Sequence, residues 1–128
     1  MDNYYKEYRE GNLLWNSHNS SLFTYGENPL LSFEDRIVHV AFPIPISEEL
    51  LLNVLDFTDT HNSSYSKDGI IILINRNHYI SVLSCFGKPI VYLNDLQNVC
   101  KDNNLCLKID KNKLIKYCKK IFNLFPPV

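Results

Sequence analysis

The chain has 128 residues, a hydrophobic fraction of 45%, a charged fraction of 21% and a formal net charge of −1. That length suits a single domain, residues 1–128, with one core covering roughly two-thirds of the surface its unfolded chain exposes. No stretch reaches the roughly 20 apolar residues of a membrane helix, and the start, Met1-Asp2-Asn3-Tyr4-Tyr5, lacks the apolar core and cleavage site of a signal peptide. The expectation is a cytoplasmic protein with no membrane partner. Cys85, Cys100, Cys106 and Cys118 are then expected as free thiols, each a small hydrophobe among apolar neighbours.

In chain order, residues 3–9 suit a helical turn or two, with Tyr4, Tyr5 and Tyr8 at i, i+1 and i+4. Leu13-Leu14-Trp15 and Leu22-Phe23-Thr24-Tyr25 are short apolar clusters, with Trp15 large enough to anchor this region onto a core. Gly26-Glu27-Asn28-Pro29 reads as a turn. Residues 36–42 predict a strand, stopped by Pro43 and Pro45. Ser47 is a suitable cap for a helix over residues 48–57, and the first-turn acids Glu48 and Glu49 favour the positive end of its dipole. Residues 59–69 predict a polar loop.

Residues 70–74, Ile-Ile-Ile-Leu-Ile, are the clearest strand: branched, apolar and too short for a helix, which suits a central position. Residues 79–85 return as its hairpin partner, and residues 90–93 add a third strand after a turn at Gly87-Lys88-Pro89. Asn94 or Asp95 then caps a short helix to about Lys101, and residues 105–109 alternate as a further strand. Asp110 caps a last helix over residues 111–123. Its Leu114, Ile115, Tyr117, Cys118, Ile121 and Phe122 form one apolar stripe, with Lys113, Lys116, Lys119 and Lys120 elsewhere around it. These elements predict an α+β fold, an antiparallel sheet of about four or five strands with packed helices.

The pattern holds no catalytic motif. Zinc sites pair ligands two to four residues apart, and the cysteines and histidines are not so spaced, so neither a metal nor another cofactor is expected. Cys85 follows a strand, where His39 or His78 could approach it, yet no local signature marks it as a nucleophile. Glu34-Asp35 and Glu48-Glu49 are sequence neighbours and diverge on a strand or a helix, so neither forms an acid/base dyad. The four glycines are not grouped into a phosphate-binding loop. The expectation is a protein that is not an enzyme.

Charge is the informative feature. Residues 27–68 carry eight acids (Glu27, Glu34, Asp35, Glu48, Glu49, Asp56, Asp59 and Asp68) against Arg36 and Lys67, while residues 69–128 carry nine bases against three acids. The near-neutral total therefore hides a split of −6 and +6. An acidic surface of this kind can be steered onto a basic partner. Glu48, Glu49, Asp56, Asp59 and Asp68, which flank one helix and the segment after it, are the first candidates for contact. Tyr65 could add hydrogen bonds, and Glu27, Glu34 and Asp35 extend the set. The rival reading is a nucleic-acid-binding or regulatory protein that uses the lysines of residues 113–120 on phosphates.

Fifteen Asn residues against a single alanine, Ala41, suggest an AT-rich gene. A small α+β chain of this composition, with an acidic block and no catalytic motif, resembles the immunity proteins of bacterial contact-dependent growth inhibition systems. The likeness spans the whole chain in general character: the polar, aromatic start, the short strands and the Asn-rich turns. It implies stoichiometric neutralisation of one cognate toxin domain, commonly a nuclease, by covering its basic active-site surface, without direct contact to nucleic acid. No family residue carries over position by position, so the contact candidates rest on the charge count alone.

Overall fold

The apolar run at residues 70–74 becomes the middle of a five-stranded antiparallel sheet. The computed structural model describes residues 8–17, 20–26, 41–75, 78–81 and 89–124. Strands β1 (Leu13–Asn16), β2 (Ser21–Thr24) and β3 (Ala41–Phe42) form one antiparallel sheet in the order β2-β1-β3. A short helix, α1 (Leu50–Val54), follows. Strands β4 (Thr58–Asp59), β5 (Ser64–Lys67), β6 (Ile70–Asn75), β7 (His78–Ser81) and β8 (Pro89–Ile90) form a meander in which each pairs with the next. Helices α2 (Leu93–Asp102) and α3 (Lys111–Leu124) complete an α+β fold.

Period-two alternation sets the faces of the large sheet. Ile70 and Ile72 of β6 are 1% and 0% exposed, whereas Ile71 and Leu73 between them are 40% and 41% exposed. The inner face meets α1, α2 and α3 in one core that includes Ile44, Leu51, Leu55, Leu96 and Leu114. Trp15 of β1 joins that core and stacks on Phe122 of α3, with centroids 6.0 Å apart and ring planes 10° apart. Its neighbour Leu14 faces the other way, into a small cluster with Phe23 and Ala41, so β1 is buried on both sides. Side-chain amides of α2 hold this strand in place: Asn12 Nδ2 donates to Asn98 Oδ1 at 2.9 Å, and the Leu13 N–H donates to Gln97 Oε1 at 2.9 Å.

Local chemistry explains the boundaries. The Ser47 Oγ accepts the Leu50 N–H at 3.1 Å, as its capping role requires. Helix α1 is shorter than expected, because Asp56 turns to a left-handed φ of 60° and a wide turn closes through the Leu55 N–H on the Leu50 carbonyl at 2.9 Å. Asp110 Oδ1 accepts the N–H groups of Asn112 and Lys113 at 3.0 and 3.2 Å and starts α3. The expected apolar stripe of α3 is inward, with Leu114 and Cys118 fully buried.

Several expectations are corrected. The loop expected at residues 59–69 is the hairpin of β4 and β5, followed by a tight turn into β6. Asp68 and Gly69 both have positive φ, 50° and 87°, as a two-residue turn between antiparallel strands demands. The third strand ends at Ile90. Tyr92 only bridges Pro45, and Leu93 already belongs to α2. Asp95 does not occupy the cap position. It lies in the first turn, and its Oδ2 accepts the N–H groups of Val91 and Tyr92 at 3.0 and 2.9 Å. Residues 105–109 alternate in burial but pair with no strand among the described residues: Leu105, Leu107 and Ile109 pack on the core while Cys106 and Lys108 face outward. Cys106 is thus exposed rather than a buried hydrophobe, whereas Cys100 and Cys118 are buried, and all three are free thiols. The apolar clusters near Trp15 form a second sheet that the sequence reading did not anticipate. The helical turn expected at residues 3–9 does not extend to Tyr8 and Arg9, which are irregular. Residues 3–7, 36–40 and 82–85 of the expected elements lie outside the described residues.

Candidate functional site

Among the described contact candidates, Glu48, Glu49 and Asp56 flank α1, and Tyr65 and Asp59 lie on the strands after it. Glu48, directly after the Ser47 cap, is exposed, and its Oε1 accepts the Tyr65 hydroxyl hydrogen at 2.8 Å. Tyr65 lies on β5 opposite Asp59 of β4. Asp59 Oδ1 accepts the His61 N–H at 2.8 Å and lies 3.9 Å from His61 Nδ1. The register therefore brings Glu48 and Asp59 to the two sides of one tyrosine. Burial pushes the Tyr65 phenol up to about 12, and the bond to Glu48 and the charges of Glu48 and Asp59 add to it. The phenol is consequently a neutral donor under physiological conditions and anchors the carboxylate it holds.

Two further tyrosines support this corner. Tyr117 of α3 donates to the Pro45 carbonyl at 3.0 Å, and its oxygen lies 2.8 Å from Ser47 Oγ. With Tyr117 donating to Pro45, the Ser47 hydroxyl donates to Tyr117 while accepting the Leu50 N–H. Burial raises the pKa of both Tyr117 and Tyr79, and nearby Glu49 and Glu48 respectively reinforce it.

Glu49 and Asp56 meet the lysines from which the sequence separates them. Lys120 Nζ donates to both Glu49 oxygens at 3.2 Å, and Lys113 Nζ lies 3.6 Å from Asp56 Oδ1. Glu49 lies just before α1, Asn53 within it and Asp56 just after it, while Lys113, Lys116 and Lys120 recur at i, i+3 and i+7 along α3. The two rows run antiparallel and match end for end. Lys67 Nζ donates to the Leu55 carbonyl at 2.6 Å, a cation at the negative end of α1. Between the two helices lies a shallow cleft of about 230 Å³.

Protein-family models, curated proteins and solved structures give no match to this chain.

Of the candidates, Glu48, Asp59 and Tyr65 therefore come together. Asp68 sits in the β5–β6 turn, three residues beyond Tyr65, which is about 10 Å of strand. Glu49 and Asp56 are held by α3, and Glu27, Glu34 and Asp35 lie outside the described residues. Among the described residues no three His, Cys, Asp or Glu side chains are grouped as a metal would need. Burial pushes the Cys100 and Cys118 thiols up to about 11 and 12, away from the reactive thiolate. Cys85 and His39 lie outside the described residues. Among those residues, no helix is long and apolar enough to cross a membrane. The ion pairs of Glu49 and Asp56 with Lys120 and Lys113 arise from the packing of α3 on α1, and reading the two charge blocks as separate surfaces missed them. The outward pair Ile71 and Leu73 was also missed, because an unbroken apolar run hides its own alternation.

Proposed function

We propose that this chain is an immunity-type protein of the bacterial cytoplasm. It binds one toxin domain, a nuclease by class, and neutralises it by stoichiometric cover of its basic active-site surface. One observation carries the reading. Glu48, Asp59 and Asp68 have no lysine or arginine partner among the described residues; Glu48 and Asp59 flank the buried Tyr65, which fixes Glu48, and Asp68 lies in the β5–β6 turn beyond it. Such carboxylates keep their charge for an incoming basic surface, which favours fast, salt-sensitive association. Glu49 and Asp56 contribute less, because their lysine partners cancel their field at a distance.

The rival reading, nucleic-acid binding by the lysine helix, has less support, since the Asp56 and Glu49 carboxylates beside Lys113 and Lys120 interrupt the basic row that a run of successive backbone phosphates would need. Stopped-flow association with the toxin domain encoded beside this gene tests the proposal. The triple variant Glu48→Gln, Asp59→Asn, Asp68→Asn should associate roughly tenfold or more slowly at low salt, with a flatter salt dependence. An unchanged rate and slope would remove these acids from the interface.

A further inference from the structure

The cleft between α1 and α3 has a charge balance that its two ion pairs do not use up. Its walls carry Lys113, Lys116 and Lys120 from α3, Asn53 from α1 and Glu49 just before it. Glu49 is occupied by Lys120, and Asp56, just beyond the cleft, by Lys113. Lys116 lies between them, one turn from each, and meets no carboxylate among the described residues. The exposed amide of Asn53 adds a neutral donor on the opposite wall.

We propose that this cleft binds a single phosphate group, free or as the monoester of a small metabolite. Lys116 and Asn53 make the first contacts, and Lys113 and Lys120 turn partly toward it. The flanking pairs permit this. Their side chains are 48% and 62% exposed at Lys113 and Asp56, and 60% and 39% exposed at Lys120 and Glu49. Exposed pairs of that kind add little stability and are readily shared. A dianionic oxyanion offers the lysines more charge than either carboxylate, and lysine serves phosphate as a point charge without demanding fixed geometry. The cleft volume of about 230 Å³ admits the group without opening the helices. This site is independent of the toxin reading, since it uses α3 and not the Glu48–Asp59 corner.

The test is an NMR titration of the full chain with inorganic phosphate and, separately, with adenosine monophosphate. The expected result is saturable shifts confined to Asn53 and the 113–120 segment. Saturation by both probes identifies free phosphate as sufficient, and saturation by the nucleotide alone identifies the ester. Lys116→Gln should weaken binding roughly tenfold or more, and Glu49→Gln should tighten it by freeing Lys120. Lys119→Gln, one position around the helix and outside the cleft wall, should change it little. Non-saturating shifts with both probes, or equal losses for Lys116→Gln and Lys119→Gln, would overturn the site and indicate only diffuse attraction to a basic helix.

Discussion

Replacing Tyr117 by Phe tests how the α1 corner is built. The ring stays, so no cavity forms, and only the hydroxyl is lost. Two groups then lose a partner: the Pro45 carbonyl, 3.0 Å away, and the Ser47 hydroxyl, 2.8 Å away. Tyr117 is 4% exposed, so little water can replace them. Leaving buried polar groups unsatisfied costs about 1–3 kcal/mol. At an m-value of about 2 kcal/mol/M, this lowers the urea midpoint by roughly 1 M. Tyr65→Phe is the control. Its hydroxyl also makes a 2.8 Å bond, but to Glu48, whose exposed carboxylate regains water. That loss should stay below about 1 kcal/mol. Urea unfolding followed by far-ultraviolet circular dichroism measures both. A Tyr117→Phe loss equal to or smaller than that of Tyr65→Phe would refute the claim that Tyr117 ties α3 to the start of α1.

Three further outcomes follow from the same geometry. Asp95→Ala removes an acceptor shared by two backbone N–H groups and should cost about 2–4 kcal/mol in urea unfolding, more than Asp110→Ala at the exposed start of α3. Stability should fall with alkali. Tyr65 keeps its proton to about pH 12 in the folded chain but loses it near 10.0 when unfolded. The unfolded state then binds fewer protons between those values, and stability declines as pH rises through that window. Cys100 and Cys118, at about 11 and 12 against 9.0, begin the decline earlier, and thermal unfolding from pH 8 to 11 would show it. Under native conditions iodoacetamide should modify Cys106 well before Cys100 or Cys118, as read by peptide mapping. Equal rates at all three would contradict their placement.

Much of the fold was legible wherever a local rule decides it. The β-branched run of β6, the Ser47 and Asp110 caps and the stripe of α3 each rest on neighbours within a turn or a ladder, and each appears in the structure. The β4–β5 hairpin was hidden because its residues are polar and only Tyr65 and Ser64 are buried. The Asp68-Gly69 turn, which joins β5 to β6, was the local signal that β5 is a strand. Leu105, Leu107 and Ile109 alternate as a strand would, yet burial against the core, not pairing, produces that alternation. A strand there would need a free sheet edge beside it, and no local pattern supplies one. The site was legible in composition but not in arrangement. The charge count names the acids correctly as a block, but it cannot show that Glu49 and Asp56 face Lys120 and Lys113 across two helices. That pairing comes from the packing of α3 on α1 and leaves Glu48, Asp59 and Asp68 as the acids of that block without a lysine or arginine partner among the described residues.

The central claim is tested most directly by co-expression of this protein with the toxin domain encoded immediately upstream of its gene, scoring growth and co-purification together. The account predicts rescued growth and a stable one-to-one complex, with both weakened in the Glu48, Asp59 and Asp68 triple variant. Growth arrest with no complex, from protein that is folded and abundant, would contradict it.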